Sequence, residues 1–493
     1  MTKSLEVSPS RVIERDDSSV RTLEAVALRF PDGSVEIISI WKLMAMPDVV
    51  RSNLRVRLAA MLGRAEEAYE ARCVKCGGRV HISYAKKRGV SRPLFAHSEK
   101  SGARGCAWRD GAGVGVEELR RHQYDGQQES IEHRFWCEAL ATMARRDPRC
   151  GEAQVDSYWR GPNGEARRYP DVFARFEGLG AFVFEVQRSA TWLKETAARV
   201  GDYAAAGVRL IYVVPRFDPT APVPGYVDDI ATLHRGCVFS LDDAALDLAR
   251  ERGVVALTAH VRNLDKSFAP PRVVTLDELT WPDGGVPFLE DRETPQLLAR
   301  FEERRATWIS FYERRAGDAA AMWTDIAPDG RALLDAFRAS QRIEAGAGPA
   351  DAALIDAAGV LLSVFAAAKG GQKILVTRYA NIKALLNHCV TVRAHVGRCA
   401  ALLELMLARS PLRGELTGSV GRHIARAKAD PRWTQAGADD VEARLFDYLV
   451  PEVFDASLRA LLIARDALPA WTAQGVDTPE RACAHAREGG GDA

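Results

Sequence analysis

Residues 169–189 read YPDVFARFEGLGAFVFEVQRS, and this stretch decides the fold of the segment around it. Two β-like apolar runs flank Glu177–Gly180, which has the composition of a tight turn. If the turn is centred on Gly178, residues at equal distances from it face each other across a hairpin. Asp171, seven residues before Gly178, then lies opposite Glu185, seven residues after it.

The alternation of side chains along a strand places Glu185 and Gln187 on one face of this hairpin. The opposite face is apolar and is expected to be core; it carries Phe182, Phe184 and Val186. Two carboxylates at cross-strand distance repel each other unless a cation lies between them. Oxygen ligands with open positions for water and phosphate suit Mg²⁺ or Mn²⁺, and such an ion activates a bound water. The hairpin therefore predicts a divalent-metal site at Asp171 and Glu185, with Gln187 beside it.

The elements around the hairpin alternate in a definite order. We predict a first helix, three strands, a second helix closed by Gly207 as a C-cap, and a final strand, an αβββαβ arrangement. The expected ranges are about Gly126–Arg145, Gln154–Trp159, Tyr169–Phe176, Ala181–Gln187, Ala190–Ala206 and Val208–Val214.

The first predicted helix carries a stripe that is apolar at one end and polar at the other. At 100° per residue the stripe consists of Glu129, His133, Trp136, Leu140 and Met143. Its apolar part must face the sheet, so its acid and imidazole are expected near the carboxylates. Each acid taken alone could equally be structural or solvated, and His133 could be a satisfied core histidine. On the second helix, Arg199 and Tyr203 are four residues apart and share a face. We expect these two residues and His133 to contact phosphate or brace the site, and Gln187 and Glu129 to assist at the water or the metal.

These residues resemble the PD-(D/E)xK nuclease superfamily, and in particular the competence-protein CoiA-like family. The matching motifs are Glu129-Ser130-x-x-His133, Pro170-Asp171-Val172, Glu185-Val186-Gln187-x-Ser189 and Arg199-x-x-x-Tyr203. The resemblance implies that Asp171 and Glu185 bind the metal, and that Gln187 occupies the position, often Lys, that orients the attacking water. A family Lys expected four residues after His133 is Cys137 here, and no role is transferred to it. The similarity covers roughly residues 71–216.

A cysteine cluster precedes this core. Cys73-x2-Cys76 is followed by His97 and Cys106, a ligand set that would form a closed, structural Zn²⁺ site. CoiA-like proteins are similar here as well. A pair of buried thiols is the alternative, and His81 competes as the third ligand.

The same segment is strongly basic although the whole chain has a net charge of only +1. Between Arg72 and Arg109 there are ten Lys or Arg and one acid, Glu99. Lys86, Lys87 and Arg88 suit contacts with nucleic-acid phosphates, with a solvated face as an equally good alternative.

The fold class expected is an α/β restriction-endonuclease-like core with a small zinc-binding β module and an all-α C-terminal region. We expect an N-terminal hairpin and helix at 1–70, the zinc-binding module at 71–115, the nuclease-like core at 120–245, a linker or extension at 246–292, a helical domain at 293–475 and a flexible tail at 476–493. Within the first unit, the hairpin strands are expected at Ala25–Phe30 and Val35–Ile40, and the helix at about Asn53–Glu70.

Composition favours a cytoplasmic protein without membrane contact. The first twenty residues have no apolar signal-peptide core, and the richest apolar stretch, Ala350–Ala368, is interrupted by Asp351 and Asp356. The function expected is Mg²⁺- or Mn²⁺-dependent hydrolysis of DNA, in DNA uptake and recombination or in phage defence. Two alternatives stay open: a non-catalytic nucleic-acid binder that assists recombination, and a role of the C-terminal helices as a sensor, protein-partner or self-association module.

Overall fold

The computed structural model describes most of the chain between residues 23 and 473. The described residues are 23, 25–30, 35–60, 70–73, 77–87, 90–98, 131–160, 167–188, 193–282, 285–315, 328–344, 349–369, 374–375, 379–391, 402–404, 407, 418–429 and 440–473. They form a mixed α/β protein with a helical C-terminal region, as expected.

The described residues of the N-terminal region form two hairpins and two helices. Its elements are β1 (Ala25–Arg29), β2 (Val35–Ser39), α1 (Ile40–Ala45), α2 (Asp48–Ala60), β3 (Glu70–Cys73), β4 (Val80–Lys87) and β5 (Val90–His97). The predicted first hairpin is confirmed, since β1 pairs antiparallel with β2. The helix predicted from Asn53 begins earlier, at Asp48, whose carboxylate lies in the first turn, where it suits the helix dipole.

The central region forms a seven-stranded sheet of order β14-β13-β12-β11-β10-β9-β6. Its elements are α3 (Ile131–Arg146), β6 (Cys150–Val155), the short pair β7 (Trp159–Arg160) and β8 (Arg167–Arg168), β9 (Val172–Phe176), β10 (Gly180–Val186), α4 (Leu193–Ala205), β11 (Arg209–Val213), α5 (Gly225–Leu233), β12 (Cys237–Ser240), α6 (Asp243–Arg252), β13 (Ala256–Val261) and β14 (Arg272–Thr275). Strand β9 runs antiparallel to both β6 and β10, whereas β11 runs parallel to β10.

The predicted register of the central hairpin is confirmed. Gly180 pairs with Phe176 and Phe184 with Val172, so continuing the same register one step places Asp171 opposite Glu185. Gly178 lies in the turn with a φ of 76°, a left-handed conformation that glycine adopts without steric penalty.

Both faces of the hairpin are covered. Phe182, Phe184 and Val186 lie in one apolar core together with Trp136 and Leu140 of α3. On the opposite face, Val183 lies in a second core with Tyr203 of α4 and Ile230 of α5. The alternation of side chains therefore directs Glu185 towards α4 and the phenylalanines towards α3.

Two expectations about this region need adjustment. The strand predicted at Gln154–Trp159 spans Cys150–Val155 instead, because Asp156 has a φ of 49° and leaves the extended conformation. Residues 246–292, expected as a linker or extension, contribute β13 and β14 to the sheet. The sheet therefore continues beyond residue 245.

The C-terminal region is helical in its described parts. Its helices are α7 (Glu293–Arg315), α8 (Pro328–Gln341), α9 (Asp351–Ala368), α10 (Ile382–Thr391), α11 (Ser419–Ala429), α12 (Val441–Leu449), α13 (Pro451–Phe454), α14 (Ala456–Ala464) and α15 (Ala470–Ala473). By length and composition α9 could cross a membrane, but 72% of it is buried inside the structure among the other helices, as in the core helix of a bundle.

The N-terminal region packs onto both other regions. Helix α2 contacts α4 and α5, and Arg55 of α2 forms an ion pair with Asp229 of α5. The N-terminal core also includes Leu297 of α7 and Leu462 of α14. The face of α4 that points away from the sheet is thus covered by the N-terminal helix.

Removing one methylene group from the central sheet should lower stability measurably. Ile211 of β11 is fully buried, so Ile211→Val is expected to reduce the free energy of unfolding by about 0.5–1.5 kcal/mol. Urea unfolding followed by circular dichroism would measure this. The matched control is Ile463→Val on α14, where the side chain is 56% exposed and the change should be near zero. Equal effects of the two substitutions would contradict the packing described for β11.

Candidate active site

Asp171 lies at the bend that precedes β9, and it is held by the neighbouring strand. Its Oδ2 atom accepts a hydrogen bond of 2.7 Å from the backbone N–H of Val186. Its Oδ1 atom is 3.5 Å from Nε2 of His133 on α3. The carboxylate is therefore fixed between the end of β10 and the first described turn of α3.

Glu185 lies at the end of β10 and is only 5% exposed. Its Oε1 atom accepts hydrogen bonds from Arg199 at 2.5 Å and from the Tyr203 hydroxyl at 3.4 Å, both on α4. Burial, and next the negative charge of Asp171, raise the pKa of Glu185 to about 8, while Arg199 opposes this rise. Asp171 is thus close enough for its negative charge to disfavour the ionisation of Glu185.

The guanidinium of Arg199 belongs to a chain of charges along α4. It lies 3.6 Å from Glu195, which accepts from Arg168 at 2.7 Å, and Arg168 also pairs with Asp202. Burial and the adjacent Glu185 raise the pKa of the Tyr203 hydroxyl well above its usual value, so it remains a neutral donor. Arg199 and Tyr203, predicted to contact phosphate or brace the site, brace Glu185 in this structure.

Gln187 follows β10, and its backbone N–H donates to the carbonyl of Val213 on β11 at 2.8 Å. Its side chain is half-buried. This places it two residues beyond Glu185 on the edge where β10 and β11 end. Glu129, the other predicted assisting group, lies outside the described residues.

The two carboxylates differ from the expected arrangement in one respect. We expected a helix carrying the imidazole to approach the face that presents both acids. Instead α3 packs on the phenylalanine face, and His133 meets Asp171, while Glu185 points to α4 on the opposite face. The physical reason is that Asp171 precedes the paired part of β9, so its side chain is directed by the Val186 N–H rather than by strand alternation.

The predicted zinc ligands are described only in part. Cys73 ends β3 and is 2% exposed, and His97 ends β5 opposite Val80. Cys76 and Cys106 lie outside the described residues. Between the strands, the N–H of Gly77 donates to the carbonyl of Cys73, with Gly77 at a φ of 69°. The backbone N–H of Cys73 in turn donates to the carbonyl of Gly78 at 2.9 Å, so the end of β3 lies next to the start of β4, the strand in which Val80 pairs with His97.

The competing ligand His81 has a partner of its own. Its Nδ1 atom lies 3.2 Å from the Ser98 hydroxyl, and burial lowers its pKa to about 4, with further lowering from Arg55 and His97. Of the basic residues predicted to contact phosphate, Lys86 and Lys87 end β4. Arg88 lies outside the described residues.

Cys137 is a residue of this site for which no role was predicted. It is 1% exposed, and its Sγ lies within 4.8 Å of ligand atoms of both His133 and Asp171. The spacing His133-x3-Cys137, one helical turn, was the available signal. The Arg168–Glu195–Arg199 chain was also missed, because Arg168 lies outside α4 and only the tertiary structure brings it there.

Comparisons with protein-family models, with curated proteins and with solved structures found no match to this chain.

Proposed function

We propose that this protein is a metal-dependent nuclease, with a restriction-endonuclease-like core, that hydrolyses phosphodiester bonds of DNA. The single observation that carries the proposal is the position of Asp171 and Glu185 at facing strand ends, where burial, and next the charge of Asp171, raise the pKa of Glu185 to about 8. A carboxyl as buried as Glu185 is unfavourable beside a second acid in a purely structural role, because burial and the neighbouring charge both disfavour its ionised form.

The residues present fit a divalent cation such as Mg²⁺ or Mn²⁺. A cation held by Asp171 and Glu185 would offset their repulsion, and it would supply an activated water and neutralise charge on the phosphodiester. Arg199 and Tyr203 both donate to Oε1 of Glu185, and the Val186 N–H donates to Oδ2 of Asp171. These three hydrogen bonds therefore do not involve Oε2 of Glu185 or Oδ1 of Asp171.

The surrounding residues have distinct roles in this proposal. Arg199 and Tyr203 hold the Glu185 carboxylate in one orientation, and the Val186 N–H holds Asp171. His133 would brace Asp171, whose Oδ1 atom lies 3.5 Å from its Nε2 atom, or contact a phosphate oxygen. Gln187 and Glu129 would assist at the water or the metal. Their positions in the sequence motifs support this role.

The N-terminal segment would position the nucleic acid. Cys73, Cys76, His97 and Cys106 would bind Zn²⁺ in a closed structural site. This site would hold the β4–β5 hairpin in place. Lys86 and Lys87 at the end of β4, together with Arg88, would contact phosphates without reading the base sequence. Since α2 of the same region packs on α4, this module is anchored to the core that carries Glu185.

Cleavage assays with the full-length protein test the proposal. Single- and double-stranded DNA, and RNA of the same sequence, would be incubated with Mg²⁺, with Mn²⁺ and with EDTA. We expect divalent-dependent cleavage of at least one DNA form. Intact substrates under all conditions, together with DNA binding that depends on Lys86 and Lys87, would favour a non-catalytic binder instead. The observation that favours this second function is the ion pair between Arg199 and Glu185, because Arg199 takes the place of a cation as the positive partner of this carboxylate.

Cation binding should release a proton at neutral pH. Glu185, with its pKa raised to about 8, is mostly protonated at pH 7, whereas a metal ligand must be ionised. Mg²⁺ affinity is therefore expected to rise with pH up to about 8 and to level off above it. Calorimetry of Mg²⁺ binding in buffers of different ionisation enthalpy measures the released proton. Mg²⁺ binding at pH 7 that releases no proton would contradict the assignment of Glu185 as a ligand.

A further inference from the structure

We propose that His133, Cys137 and Asp171 form a second cation site in the core, selective for a thiophilic transition metal such as Zn²⁺. Their ligand atoms, an imidazole nitrogen, a thiol sulfur and a carboxylate oxygen, all lie within 4.8 Å of one another. The site shares Asp171 with the proposed nuclease centre, but its existence does not depend on cleavage.

The geometry is close to that of a tetrahedral zinc site. With zinc bonds of about 2.0–2.3 Å, neighbouring ligand atoms are separated by roughly 3.3–3.6 Å. The His133 Nε2–Asp171 Oδ1 distance is already 3.5 Å. Drawing the remaining atoms together requires movements on the order of 1 Å, which side-chain rotation supplies.

The local structure orients this set of ligands. His133 and Cys137 are one turn apart on α3 and point to the same side of the helix. Asp171 is fixed by the hydrogen bond from Val186 N–H to its Oδ2 atom, which leaves Oδ1 on the side of His133. The backbone N–H that binds Oδ2, the oxygen that does not bind the metal, orients Asp171 as a carboxylate ligand.

The ligand types select the metal class. A thiolate is a soft ligand that favours Zn²⁺ or Co²⁺ over Mg²⁺, while Asp171 with Glu185 offers the hard oxygen ligands that Mg²⁺ prefers. Three protein ligands leave a fourth position for water or a phosphate oxygen, as in catalytic rather than structural zinc sites. Asp171 would then lie between two different cations, one on the α3 side and one on the Glu185 side.

Zinc content of the full-length protein tests this site separately from cleavage. Wild type and variants would be incubated with zinc sulfate, desalted and analysed by mass spectrometry of the metal. His133→Ala and Cys137→Ala are each expected to lose one zinc equivalent relative to wild type. Cys150→Ser is the matched thiol control, because Cys150 lies on β6 and its thiol donates to the Glu152 carbonyl. Glu185→Gln removes a ligand of the proposed Mg²⁺ site only, so it separates the two cation sites. Cys150→Ser and Glu185→Gln should both retain the zinc content of the wild type.

Replacement of zinc by Co²⁺ gives a second readout. The thiolate-to-cobalt absorption band should decrease in Cys137→Ala by the contribution of one thiolate and remain unchanged in Cys150→Ser. Circular dichroism verifies that Cys137→Ala, a small apolar substitution in the core, is folded. Zinc content and cobalt spectra equal to wild type in folded His133→Ala and Cys137→Ala would overturn the proposal, whether or not the protein cuts DNA.

Discussion

Asp171→Asn should abolish nucleic-acid cleavage while leaving the fold intact, with a loss of about 10²-fold or more in rate. The substitution is almost isosteric, and the Asn carbonyl oxygen can still accept the hydrogen bond that Val186 N–H donates to Asp171. What is lost is the negative charge opposite Glu185, and with it a ligand of the proposed cation. Initial rates of DNA cleavage at saturating Mg²⁺ measure the effect.

The control for this prediction removes an acid elsewhere. Asp247 lies on α6, is 73% exposed and pairs with Arg250 one turn later, so Asp247→Asn should cleave like wild type. Thermal unfolding of both variants should stay close to wild type. If Asp171→Asn retains wild-type cleavage, Asp171 does not hold the catalytic cation.

Arg199→Ala should destabilise the protein strongly, because it leaves Glu185 buried without its charged partner. Removing one member of a buried ion pair typically costs about 3–5 kcal/mol, and the 25% exposure of the Arg199 side chain favours a value nearer 2–4 kcal/mol. Denaturant unfolding above pH 8, where Glu185 is ionised, should give the largest effect.

Glu185→Gln supplies the partner variant for a double-mutant cycle. In the Arg199→Ala background it removes the unpaired charge and should restore part of the lost stability, because Glu185 and Arg199 are in contact. No recovery in the double variant would contradict the ion pair as the source of the loss.

The pH dependence of stability follows from the same carboxylate. Its pKa is about 8 in the folded protein and near its ordinary value of 4.5 when unfolded, so the folded state binds the proton more tightly. The stability contributed by protonated Glu185 is present below pH 4.5 and is lost as the pH rises towards 8. Glu185→Gln should flatten this part of the stability curve.

The central hairpin was predictable because its information is local. A period-two pattern and a turn at Gly178 fix which residues face each other. A shift of the strand register by one residue would have turned the side chain of Glu185 towards the phenylalanine core. The helix stripe on α3 was equally local, and Trp136, Leu140 and Met143 are buried as predicted.

Contacts between distant segments could not be predicted in this way. The parallel pairing of β12 with β11, which brings residues 237–275 into the sheet, depends on a crossover through α5 rather than on a local turn. The docking of α2 on α4 likewise joins segments with no common sequence pattern. Within the site, the turn of Asp171 towards His133 depends on a single backbone donor, Val186 N–H.

Calorimetric titration of Mn²⁺ into the full-length protein tests the central claim most directly, since it measures cation binding by Asp171 and Glu185 without requiring cleavage. The zinc-loaded wild type, Asp171→Asn, Glu185→Gln and the control Asp247→Asn would be compared above pH 8, where Glu185 is ionised. We predict one Mn²⁺ site in wild type and in Asp247→Asn, and its loss in both site variants. Unchanged Mn²⁺ binding in Asp171→Asn and Glu185→Gln would contradict the account.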